Sequence, residues 1–135
     1  MKVMRGLLFI SLFVGCAGSM AQNDPGATDM VAGVWRGHSV CMVKDSPCHD
    51  EMNVYRISAI AGKPGIYFVS GNKIVDGKEE VMGTGEWRYD ASAHVLTYEF
   101  SRGVFRLKMD GGKMEGDLKL PDGTQFRQIF LEKDK

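Results

Sequence analysis

Residues 33–51, "GVWRGHSVCMVKDSPCHDE", hold the densest set of reactive side chains in the sequence: His38, Cys41, Cys48, His49, Asp50 and Glu51. Several chemistries draw on such residues. A structural zinc site uses two closely spaced ligand pairs, such as Cys-x2-Cys with His-x3-His. No such pair occurs, and His38 and Cys41, three apart on an extended segment, point to opposite faces. A thiol oxidoreductase uses Cys-x-x-Cys at the start of a helix, whereas Cys41 and Cys48 are further apart and no helical pattern follows them. A serine hydrolase of the nucleophile-elbow type would show Gly-x-Ser-x-Gly, which is absent. His38, His49 and His94 stand near strand ends or in the first loop, and Asp50 and Glu51, being adjacent, face apart and suit a solvated loop mouth. The reading that remains is a disulfide between Cys41 and Cys48 that ties the 42–52 loop to the end of the first strand, with Asp45 or Ser46 capping the turn. No metal, no cofactor and no catalytic constellation is implied, so the chain reads as a protein that is not an enzyme.

A disulfide needs an oxidising compartment, and the start of the chain offers a route to one. Lys2 and Arg5 precede the apolar "GLLFISLFVG", and "SMA" stands before Gln22, which together predict a signal peptide over 1–21. That apolar core is too short for a comfortable membrane span. The expected location is periplasmic or secreted. "FVGC" also resembles the lipobox of bacterial lipoproteins, so the alternative is a lipoprotein anchored through Cys16. Cleavage would leave 114 of the 135 residues with a net charge of −2, because Lys2 and Arg5 go with the leader. That length makes one domain. Its near-neutral charge argues against nucleic acid as a partner, and a membrane enters only if Cys16 is lipidated.

The elements that position these residues follow from turn spacing and alternation. Residues 22–32 read as a polar leader and 33–135 as the folded domain. Turn signals recur at 63–65, 76–77, 90–93, 101–103, 110–112 and 121–123, leaving room for one strand between each pair. Between them, Phe105, Leu107 and Met109 share one face, as do Met114, Gly116, Leu118 and Leu120, and Leu96, Tyr98 and Phe100. A period of two with one wet face marks antiparallel strands. Eight are predicted, at 33–43, 52–61, 65–75, 79–89, 94–101, 103–110, 112–120 and 124–133. Eight short-looped strands in one open sheet leave two edges, which closure removes. The expected fold is all-β, an eight-stranded antiparallel up-and-down (meander) barrel, with a flattened sandwich as the other option.

"GVW" at 33–35 resembles the Gly-x-Trp that opens the first strand of lipocalins and related calycins. The resemblance implies a small bacterial exported barrel in which Gly33 admits the chain closely and Trp35 plugs one end. It further implies that a cation of the last strand, Arg127 in "TQFRQIF", lies across the Trp35 indole as a cation–π contact. Trp87, Tyr89, Tyr98, Phe100 and Phe105 fall on consecutive strands, and Tyr55 and Tyr67 join them. These aromatics either fill the interior or line a pocket, and Gly71, Gly83, Gly85 and Gly116 either relieve crowding or leave a cavity. Sequence leaves both open. The functional expectation is a lipocalin-like protein binding a small apolar or amphipathic ligand. The alternative is an exported interaction module, such as a protease or lysozyme inhibitor, that meets its protein target through the 42–52 loop.

Overall fold

The computed structural model describes residues 29–135; the predicted signal peptide, Cys16 and residues 22–28 lie outside the described residues. Eight strands follow in order: β1 Gly33–Cys41, β2 Glu51–Ala59, β3 Ile66–Val75, β4 Lys78–Asp90, β5 Val95–Phe100, β6 Gly103–Asp110, β7 Lys113–Lys119 and β8 Gln125–Lys133. Each pairs antiparallel with its neighbour in sequence, and β8 returns to β1, closing the barrel. The meander follows from tight turns. Asp76 and Gly77 both take positive φ, the twist a two-residue hairpin loop needs between β3 and β4.

Alternation sends one large side chain per two residues inward. Trp35, Ile57, Leu96, Leu107, Met114 and Leu131 make one buried cluster near the pole where β1 begins. Val31 joins it from before β1, with 2% exposure. Residues 29–32, expected to belong to the polar leader, therefore form part of the domain. Asp29 Oδ1 accepts from the Val31 and Ala32 amides at 2.9 and 3.0 Å, coiling the segment over the pole. The Trp35 indole N–H donates to the Val31 carbonyl at 2.9 Å, and the Tyr67 hydroxyl donates to Asp29 at 3.1 Å. This end of the barrel is thus plugged by its own entering chain.

The cation over Trp35 is Lys133, not Arg127. Its Nζ lies 5.7 Å from the ring centroid and donates to the Asp29 and Met30 carbonyls at 3.2 and 3.1 Å. The register gives the reason. Trp35 pairs with Lys133 across β1 and β8, whereas Arg127 pairs with Cys41. Six residues of strand separate the two cations, about 20 Å, so Arg127 belongs to the opposite pole.

The ladder is weakest between β4 and β5, which pair only through Arg88–Thr97, Tyr89–Leu96 and Asp90–Val95. Continuing that register would set Glu86 opposite Glu99, and like charges directly opposed destabilise a sheet. The Tyr98 ring also occupies the space over Gly85, where an added Cβ would come within 2.6 Å of it. Beyond this seam the first part of β4 is exposed, including Val81 and Met82.

Candidate ligand cavity

The half of the barrel away from the plug is not filled. A cavity of about 450 Å³ lies between two unlike walls. One wall comes from β4, β5 and β6 and consists of Trp87, Tyr98, Phe100 and Phe105. Trp87 and Tyr98 stack with centroids 5.3 Å apart and planes 8° apart; Tyr98 and Phe100 at 5.4 Å and 9°; Phe100 and Phe105 at 5.6 Å and 15°. Phe105 returns to Trp87 at 5.0 Å, so the four rings close a circuit of contacts. Each such pair adds about 0.5–1.5 kcal/mol beyond its buried area, which makes the wall stiff. Gly85 makes room for it, since any side chain there would meet Tyr98.

The facing wall comes from β1, β2 and β8 and carries the polar groups Ser39, Glu51, Asn53, Tyr55 and Arg127 beside the apolar Phe126 and Ile129. Arg127 organises it. Its Nη1 donates to Ser39 Oγ at 3.1 Å and to the His49 carbonyl at 3.0 Å, and its Nη2 donates to Glu51 Oε1 at 3.3 Å. Tyr55 is buried, and that burial pushes its ionisation well above the ordinary phenol range; Arg127 pulls against the rise and Glu51 adds to it. The hydroxyl is therefore neutral across the working pH range. Asn53 is 3% exposed and donates from Nδ2 to the Asn72 carbonyl at 3.3 Å. Its Oδ1 is buried and finds no partner among the described residues. A buried carbonyl oxygen without a donor costs about 1–3 kcal/mol.

The bridged loop stands at the rim of this half. Cys41 and Cys48 form a disulfide with Cα atoms 5.8 Å apart. Ser46 Oγ accepts from the Cys48 amide at 3.2 Å, and Asp45 takes a left-handed φ of 56°. Asp50 Oδ1 accepts from the Cys41 amide at 2.9 Å. Together with the Arg127 bond to His49, these contacts dock the loop on the polar wall.

Of the aromatics singled out in sequence, Tyr55, Trp87, Tyr98, Phe100 and Phe105 meet around the cavity. Tyr67 and Tyr89 do not. They point inward at the plugged pole, edge to face at 6.3 Å, with Tyr67 on Asp29 and Tyr89 3.2 Å from His94 Nδ1. Glu51, expected at a solvated mouth, is instead mostly buried against Arg127. Sequence reasoning passed over Ser39 and Asn53. The signal was present, because each lies on the inward parity of its strand, Ser39 with Trp35 and Gly37, Asn53 with Tyr55. Among the described residues no three of the His, Cys, Asp and Glu side chains gather as metal ligands.

No protein-family model matches this chain, and no curated protein matches its sequence. The fold and the cavity define a closed eight-stranded antiparallel barrel with a ligand-sized interior, an architecture compatible with the lipocalin-like fold.

Proposed function

We propose that this is an exported, non-catalytic binding protein that holds one small apolar or amphipathic molecule inside the barrel. The observation that carries the proposal is the cavity of about 450 Å³, walled on one side by four aromatic rings and on the other by convergent polar groups. Ligand sites have that size range and that mixture of apolar area with a few placed polar atoms. Export rests on the leader pattern over 1–21 and on the Cys41–Cys48 bridge, which suits an oxidising compartment. The test uses tryptophan emission. Trp87 lines the cavity and Trp35 sits in the plug, so a lipid, haem or retinoid probe that enters quenches wild type but spares Trp87→Phe. A panel that leaves wild-type emission unmoved removes the support for a ligand.

A second reading makes the barrel an interaction module. It is favoured by the rim itself, where the bridged loop is flanked by the exposed Met42 and Met52. Capture from an exported proteome with wild type and with a loop-shortened form discriminates: identical partners for both forms refute it.

A further inference from the structure

The two walls of the cavity select between kinds of ligand. We infer that the cavity takes an uncharged aromatic or apolar ligand and turns carboxylates away; the inference rests on the cavity being the ligand site. Two observations carry it.

The first is the apolar wall. Four rings within 5.0–5.6 Å of one another, with Tyr98 stacked between Trp87 and Phe100, line one side of the cavity. Such a wall offers area to an aromatic or apolar body and no partner to a charge. The second is charge. Arg127 is matched by Glu51, with side-chain exposures of 14% and 13%. Its Nη1 is also engaged by Ser39 and His49. A carboxylate entering here meets the Glu51 carboxylate in a poorly solvated space and finds no unmatched cation to offset its own desolvation. The other cation of the lining, Arg102, stands exposed in the turn between β5 and β6, where solvent screens it.

Calorimetric titration with 2-naphthol and 2-naphthoate at neutral pH tests the inference, because the two probes share a ring pair and differ in the head group. Wild type is expected to bind the naphthol at least tenfold more tightly. Glu51→Gln, which removes the negative charge and keeps the shape, is expected to raise naphthoate affinity at least tenfold and to narrow the naphthol-to-naphthoate affinity ratio by a similar factor. Wild type binding naphthoate as tightly as naphthol overturns the inference and leaves the cavity reading standing. Naphthoate affinity unchanged in Glu51→Gln also overturns it. Heat from neither probe removes the cavity reading itself. Should Glu51→Gln not fold, the wild-type comparison decides alone.

Discussion

Gly83 and Gly85 stand two residues apart on β4, both on its inward side, and the same substitution should act on them in opposite directions. An alanine Cβ at Gly83 meets nothing within 4 Å. Alanine there only removes freedom from the unfolded chain, which stabilises by about 0.4–1 kcal/mol where the backbone suits it. At Gly85 the Cβ would stand 2.6 Å from both Cζ and the hydroxyl oxygen of Tyr98 and 2.8 Å from Cε2. The ring must retreat by roughly 1 Å to reach ordinary contact. It is not free to do so, because it is stacked between Trp87 and Phe100. Overpacking of this kind costs about 1–3 kcal/mol. Setting the backbone gain against it leaves Gly85→Ala about 1–2 kcal/mol less stable than wild type, and about 2 kcal/mol below Gly83→Ala. Urea unfolding followed by far-ultraviolet circular dichroism measures the difference, and Trp87 emission reports the disturbed wall. Equal midpoints at equal slopes for the two variants would refute the account of Gly85 as the seat of Tyr98.

The remaining predictions concern the loop, the plug and the outer face. Replacing Cys41 and Cys48 by serine frees a short loop from its constraint and should cost about 2–3 kcal/mol, read as a lower urea midpoint; no change would mean that Arg127 and Asp50 alone hold the rim. Lys133→Met removes the cation over Trp35 and two hydrogen bonds to the plug, an expected loss of about 1–2 kcal/mol with a shift in Trp35 emission. Arg127→Met should leave Trp35 emission unmoved, and the reverse pattern would overturn the assignment of the two cations. Glu79 on the outer face accepts from Arg56 at 2.8 and 2.9 Å and from Asn72 at 2.6 Å, which holds its carboxyl at about 2 against an ordinary 4.5. Its contribution is therefore intact above pH 4.5 and lost as pH falls toward 2. A carboxyl resonance titrating near 4.5 would contradict this.

Strand count, order and closure were legible because they depend on local quantities. Period-two alternation fixes which residues turn inward, and turn residues such as Asp76-Gly77 fix where the chain reverses. Depth along the barrel was not legible, because it depends on register between strands far apart in sequence. Tyr67, Tyr89 and Tyr98 all carry the inward parity, yet the first two serve the plug and the third the cavity. The same gap misplaced the cation: Arg127 and Lys133 share a strand and a face, and only the β1–β8 pairing tells which meets Trp35. The plug was missed for a different reason. Val31 sits in the short run Met30-Val31-Ala32 just before the first strand, and periodicity needs a longer segment to register a signal. Ser39 and Asn53 were readable as polar residues with inward parity, but a search for reactive side chains passes over groups whose only act is to accept or donate a hydrogen bond.

The described chain both enters and leaves at the plugged pole. Lys133 binds the Asp29 and Met30 carbonyls, the Asp134 amide donates to the Val34 carbonyl at 2.8 Å, and Asp134 pairs with Arg36 at 2.8 Å. A tether at the C-terminus therefore grips the barrel by its closed base and presents the rim outward. A resin linked through the C-terminus would hold every molecule by its base, like a cup set down. Assays immobilised through that end should leave ligand access intact.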